Sequence, residues 1–507
     1  MNKVAIAGGG IGGLIAALLL SRQGKIVTIY ERMNRLGGRL AFEQNGTYRV
    51  DQGPTIVLLP EMLLDILAEA GIDRSRVPLV RCDPMYRIHY ADGTVLHKWS
   101  DRERMLEELG RLSPGEQEGF IRYMAEMKRS FVQGKKAFLE RPFLRKRDFF
   151  TVRNIALLAK LRAYKSVRSL AAEYFKDKRL HDAFSLQTLY IGGAPFEAPG
   201  LYSLLPYAEH EFGVWCLKGG YASLIPLLEE ELARQGVTVK KKAAVKELLI
   251  SDGRCYGVRT AEGETSYDAV VFNGEFPSIA GVLPVGEAAR PKNKRKDYKP
   301  SSGCVLIYLG LNKQWPEAVA HQFFLPPSLE KGLGEIFKEN RLPDDPSFYI
   351  FYPTAFDDTA APAGESAMYV LIPSPAAPHV DWEQETPKLV EQVLREAERR
   401  GFPGLREAIR WQQVRTPADA EADGLYKGGS FGIAPTLLQS AVFRPQIVPY
   451  GIEGLYAAGA SVHPGGGVPI VMQGARLLAQ HLSAAVAVQA ATAKPAMIQE
   501  VPDGSSI

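Results

Sequence analysis

The stretch Val4-Ala5-Ile6-Ala7-Gly8-Gly9-Gly10-Ile11-Gly12-Gly13, followed by Ile26 to Tyr30 and then Glu31, decides the fold. Val4 to Ala7 are apolar without a break, the pattern of a short strand buried on both faces. Ile11 to Gln23 reads as a helix and Ile26 to Tyr30 as a second buried strand, a βαβ unit within about 30 residues. Gly8, Gly10 and Gly13 carry the G-x-G-x-x-G spacing between strand and helix. The first glycine makes the tight turn, the second lets the backbone approach a pyrophosphate, and the third lets helix and strand pack closely. The helix start offers free N–H groups and a positive dipole end to phosphates. Glu31 ends the second strand, where a carboxylate accepts from a ribose hydroxyl and repels a 2′-phosphate, which disfavours NADP.

Two features further out favour a flavin over a nicotinamide. Leu36-Gly37-Gly38-Arg39 follows the acid, with Asp51-Gln52-Gly53-Pro54-Thr55 behind it. Near the other end a second glycine-rich stretch runs from Gly454 through Gly459, then from His463 through Gly465-Gly466-Gly467-Val468-Pro469. It again reads as strand, loop and helix, and a second helix start suits the far end of a long cofactor. A helix dipole beside a flavin ring stabilises the anionic reduced form.

The rest of the chain bounds the reading. Its 507 residues suggest several domains, and a net charge of +4 is too mild to point to nucleic acid. Cys82, Cys216, Cys255 and Cys304 share no close spacing, so neither a CxxC redox motif nor a metal site is expected. They fit a reducing cytoplasm. Val4 to Ala7 resembles a short signal core, but the glycines and helix after it argue against export. No run of about 18 apolar residues is present, so membrane contact is expected to be peripheral. Residues 290–435 carry alternating strand-like runs and one helix near 385–400.

Between Arg141 and Arg168 stand nine Lys or Arg and one acid, Asp148, interleaved with Phe143, Phe149, Phe150, Ile155 and Leu158. Basic charge with apolar residues at helical spacing suits an interfacial helix on anionic lipid, or else a solvated basic face over its own core.

These residues resemble the bacterial carotenoid desaturases, the phytoene desaturase group, and most of all those that act on a C30 precursor such as 4,4'-diapophytoene. The resemblance runs from Val4 to about Leu482. Its specific parts include Asp51 to Thr55, Gln187 to Gly193, Phe212 to Trp215, Lys218-Gly219-Gly220, Phe443-Arg444-Pro445 and the His463–Pro469 loop. The chain departs from the group at Asn273-Gly274-Glu275, at Gly466 and Ile470, and at Ala420.

The resemblance implies an α/β fold: a Rossmann-type FAD domain of the two-dinucleotide-motif, amine-oxidase-like kind, a sheet-containing substrate domain, and a helical membrane-associating region. The expected division is 1–80 with 205–290 and 440–487 for FAD, and 81–135 with 291–439 for substrate. Residues 136–204 form the basic membrane-facing region and 488–507 a flexible tail. It implies FAD contacts at Gly8, Gly10, Gly12, Gly13, Glu31, Arg32, Gly38, Arg39, Gly53, Pro54 and Thr55. Val245 belongs at the adenine side, and Gly459, Val468 and Pro469 near the flavin ring.

The implied reaction is desaturation of a C30 or C40 polyene by hydride transfer to FAD, with oxygen or a quinone as electron acceptor. Loss of hydride must be followed by loss of a proton, and the Arg147-Asp148 pair is the polar candidate to take it. The same residues are compatible with a carotenoid end-group oxidase, a flavin amine oxidase, or a prenyl-lipid-binding protein that is not an enzyme. The expected location is cytoplasmic, on the membrane surface.

Overall fold

The computed structural model describes residues 2–288 and 297–492. Its first layer is the sheet that the opening stretch dictates. Lys3–Ala7 lies centrally, parallel to Ile26–Tyr30 on one side and to Ala269–Phe272 on the other. Thr238–Lys240 and Leu455–Ala457 complete a five-stranded parallel sheet. All but the first residues of Lys3–Ala7 and Ile26–Tyr30 are buried, as strands covered on both faces must be. The helices Ile11–Arg22 and Val468–Thr492 pack on each other against this sheet. Chain start and chain end therefore meet through these two helices on one sheet, which brings the two glycine stretches together.

The second layer is a seven-stranded, mostly antiparallel sheet. Its longest pairing is Gly303–Leu311 against Ser366–Ser374, in register from Gly303↔Ser374 to Leu311↔Ser366. The helix Trp382–Arg400 covers one face through Leu389, Val393 and Ala397. On the other face a core of Tyr86, Phe120, Tyr123, Phe184 and Tyr308 joins it to the helices Arg102–Leu112 and Gln117–Gly134. A two-stranded ribbon, Leu79–Arg81 with Trp215–Leu217, lies between the layers in sequence and pairs antiparallel.

The 141–168 segment is not one amphipathic helix. It forms Lys146–Phe149, Val152–Lys160 and Val167–Ala171, broken by a turn in which Arg162 adopts φ 48°. Thr151 and Ser166 cap the second and third of these, because their hydroxyls accept backbone N–H groups that a helix start leaves free. Phe143, Phe149, Leu157 and Leu161 turn inward with Phe138 and Val442 into a small core of their own. The charge excess is also smaller in space than in sequence. Arg162 pairs with Glu126 and Glu173, Lys165 with Glu173, and Arg168 with Asp182. Among the described residues no helix is long and apolar enough to cross a membrane. The last helix runs on to Thr492, into the stretch read as a tail, and 493–507 lie outside the described residues.

Candidate flavin site

The glycine turn is held by close approach. Gly8 sits at φ 112°, and a Cβ there would stand 2.8 Å from the Asn273 carbonyl oxygen. A Cβ on Gly13 would stand 2.3 Å from the Gly8 carbonyl oxygen, so its absence lets helix and strand meet. The Asn273 amide donates to the Gly8 carbonyl at 3.0 Å and ties the Ala269–Phe272 strand end to the turn. Glu31 is buried. Its Oε2 accepts from the Gly9 N–H at 2.7 Å and its Oε1 from the Met33 N–H at 2.8 Å. Glu31 therefore pins the glycine turn, and each oxygen keeps a lone pair for a further donor.

Above the turn opens a cavity of about 840 Å³, toward the large end of small-molecule sites. Gly8, Gly10, Gly12, Glu31 and Arg32 line one end with Val245. Val245 is half-buried in the connection between two strands, and its side chain packs against the core around the parallel sheet. Gly38, Arg39, Gly53, Pro54 and Thr55 line the middle, and Gly459, Val468 and Pro469 the opening of the last helix. Gly13 is the exception, because it packs beneath the turn and does not reach the cavity.

Polar groups join the two glycine stretches. Arg39 Nη2 donates to Glu275 Oε2 at 2.5 Å, and the Ser461 hydroxyl donates to the other oxygen of Glu275. Arg32 donates to the Asp423 carbonyl. Two buried nitrogens on the cavity wall, His463 Nδ1 and Arg444 Nε, have no hydrogen-bond partner among the described residues. Burial pushes His463 down to about 4, so its ring is neutral. An acid-lined ribose end, a glycine turn at a helix start and these unpaired nitrogens fit a long, polar dinucleotide such as FAD.

Arg147 and Asp148 require correction. Both are exposed and neither lines the cavity. Asp148 instead accepts the Arg145 backbone N–H at 2.9 Å, a local cap. A buried pair of titratable groups lies behind the cavity wall instead. Tyr190 lines the wall and donates to Glu209 Oε1 at 2.9 Å. Glu209 Oε2 accepts from Tyr86 at 2.7 Å and from Gln187 at 2.9 Å. Glu209 and Lys98 are fully buried, and burial pushes the carboxyl up and the ammonium down to about 7. Gln187 and Tyr190 stand in a segment that carries the family resemblance, but Glu209 had no such marker.

A second cluster was also invisible in the sequence. The ribbon pairing brings Cys82 Sγ to 3.3 Å from Cys216 Sγ, and His321 Nε2 lies 3.1 Å from Cys216 Sγ. The expectation of no metal-type grouping rested on sequence spacing, and the fold overrides it.

The flavin containing amine oxidoreductase family model matches residues 11–483. A 4,4'-diapolycopen-4-al dehydrogenase from Metabacillus indicus is 48% identical over 94% of this chain and 96% of its own length. A zeta-carotene-forming phytoene desaturase from Myxococcus xanthus is 33% identical over 95% and 94%. Among solved structures, an oxidoreductase from Methanosarcina mazei shares the fold with a TM-score of 0.66 at 18% identity, covering 95% of this chain and all of that one. The chain belongs to the flavin-containing amine oxidoreductases and, within them, to the bacterial phytoene and diapophytoene desaturase group of FAD-dependent oxidoreductases.

Proposed function

We propose that the protein oxidises a C30 carotenoid polyene, passing a hydride to FAD. The observation that carries this reading is the continuity of one cavity from the phosphate turn to an apolar wall of Phe131, Phe138, Leu186, Leu189, Phe323 and Leu371. A hydrocarbon has no group for a hydrogen-bonded anchor, so shape and water exclusion must hold it. FAD, when bound, supplies the hydride acceptor, and oxygen or a quinone takes the electrons onward. The assigned glycines, Glu31, Arg32, Arg39, the Gly53–Thr55 turn, Val245 and Gly459 with Val468 and Pro469 are the proposed cofactor contacts.

The chain's own part is to position the polyene and accept a proton. Tyr190 presents its hydroxyl at the wall, where it would take the proton the substrate loses as it passes its own to Glu209 behind it. Lys98, buried nearby, favours the ionised form of Glu209, the form that can accept that proton. Arg147 and Asp148 have no role in this step.

Within the class, oxidation at the chain end is favoured over desaturation along the chain. The supporting observation is the relative at 48% identity, named for an aldehyde dehydrogenation, against 33% for the phytoene desaturase. Pigment analysis of cells making a C30 polyene together with this chain tests both readings. Oxidised end groups support the first, and a longer conjugated hydrocarbon supports the second.

The membrane side is proposed at residues 144–160. Leu144, Phe150, Val152 and Ile155 are exposed, and Val152 is 88% so. Exposed Arg145, Arg147, Arg153 and Lys160 flank them. Apolar side chains among cations that have no ion-pair partner among the described residues suit the surface of an anionic bilayer, in whose interior the substrate dissolves.

A further inference from the structure

We propose that Cys82, Cys216 and His321 form a buried site for a thiolate-preferring dication of the zinc type. The three ligand atoms lie within 4.8 Å of one another. The side chains come from positions 134 and 105 residues apart along the chain, so only the folded topology assembles them. Cys82 is 8% exposed, and Cys216 and His321 are fully buried. None of the three lines the flavin cavity, so the group is separate from the site described above.

The geometry matches what such an ion asks for. Tetrahedral zinc with sulfur at ~2.3 Å and nitrogen at ~2.0 Å separates its ligands by roughly 3.5–3.8 Å. The observed 3.3 Å and 3.1 Å need an outward shift of about half an ångström, within side-chain rotation. His321 is oriented as metal-binding imidazoles are. Its Nδ1 pairs with the Tyr349 hydroxyl at 2.7 Å, which leaves Nε2 facing the sulfurs. Phe351 stacks on the ring with centroids 5.3 Å apart and fixes its plane. The charge balance also fits a buried position. Two thiols lose two protons to solvent as the dication binds, and two thiolates with a neutral imidazole leave the site uncharged. Among the described residues no fourth side chain joins the group, so the fourth tetrahedral position falls to a non-protein ligand.

The ion would join separate parts of the fold. Cys216 lies in the two-stranded ribbon and Cys82 just beyond its other strand, while His321 begins a strand of the seven-stranded sheet. Tyr349 continues from His321 to Thr55, its hydroxyl 2.8 Å from Thr55 Oγ1, and Thr55 lines the cavity. The site stands one hydrogen-bonded step behind the cavity wall.

Elemental analysis of the flavin-loaded full-length protein, purified without chelator, tests the proposal. The expected result is one zinc per chain, lost in Cys216→Ser, with thiolate-to-cobalt charge-transfer absorption after cobalt exchange. Wild-type protein is also refolded with added zinc and desalted, so the test does not depend on a variant folding. Zinc at the level of an unrelated control protein in both wild-type preparations overturns the proposal. So does a wild-type protein whose Cys82 and Cys216 are found joined as a disulfide. Neither outcome depends on which polyene is oxidised.

Discussion

Arg39 Nη2 stands 2.5 Å from Glu275 Oε2, so a residue just beyond the N-terminal glycine motif grips one that follows the Ala269–Phe272 strand. Glu275 is nearly buried and Arg39 is about one-third exposed. Ser461, from the second glycine stretch, donates to the same carboxylate. The sequence marks Glu275 as a departure from the family pattern, and the fold gives it work at the junction of both motifs. Removing Arg39 leaves the buried Glu275 carboxylate, among the described residues, with the Ser461 hydroxyl as its one side-chain hydrogen bond.

A double-mutant cycle on this pair is therefore informative. Arg39→Met alone should weaken FAD binding and lower the melting temperature, at a cost of about 1–3 kcal/mol. Glu275→Gln alone should cost less, because the amide can still accept from Ser461. The double variant should recover part of the Arg39→Met loss. Additive losses, measured by flavin titration and thermal unfolding, would show that the pair does not act as a unit.

The glycines separate folding from binding. A Cβ on Gly10 meets only the Asn273 amide nitrogen, at 3.4 Å, and otherwise faces the cavity. A Cβ on Gly13 collides with backbone at 2.3 Å. Gly10→Ala should keep its apo melting temperature within about 4 °C, under about 1 kcal/mol, yet retain little FAD. Gly13→Ala should destabilise the apoprotein itself. Equal flavin occupancy in Gly10→Ala and wild type would move the pyrophosphate away from this turn.

Much of this was legible because it is local. The βαβ unit, its glycines and Glu31 lie within one contiguous stretch, and the strands Gly303–Leu311, Phe348–Phe351 and Ser366–Ser374 follow their apolar runs. What the sequence hid was built by long-range pairing. Cys82 meets Cys216 only because Val80 pairs with Cys216, and Glu209 meets Tyr86 across 123 residues. The basic segment misled for the same reason: its Arg162, Lys165 and Arg168 find acids outside it. Arg147-Asp148 was a motif match without a position, and the fold puts it outside.

Asp51 gives a pH signature. It is buried and accepts the Tyr221 and Ala222 N–H groups at 3.0 Å each, yet burial pushes it from 3.8 up to about 7. Below its ordinary range both folded and unfolded chains hold the proton, and its contribution to stability is fully present. As pH rises toward about 7 the unfolded chain ionises first and that contribution is lost. The stability of Asp51→Asn relative to wild type should therefore rise between about pH 4 and about pH 7. A constant difference across that range would contradict the assignment.

Membrane binding should follow the unpaired cations only. Changing Arg145, Arg147, Arg153 and Lys160 together to Glu should abolish co-sedimentation with anionic liposomes at low salt while FAD stays bound. Wild-type binding should weaken as salt shortens the screening length to about 8 Å. Reversing Arg162 would instead break its pairs with Glu126 and Glu173 and damage the fold. If the four-residue variant still sediments, the docking surface lies elsewhere.

The most direct test of the central claim is anaerobic mixing of the FAD-loaded protein with a C30 polyene, bearing a terminal aldehyde or none, presented in liposomes. The account predicts that flavin absorbance bleaches in step with oxidised polyene formed, one two-electron oxidation per flavin, and that Glu209→Gln slows bleaching without releasing FAD. A flavin that stays oxidised with polyenes of both kinds but is bleached by a small amine such as putrescine would contradict it.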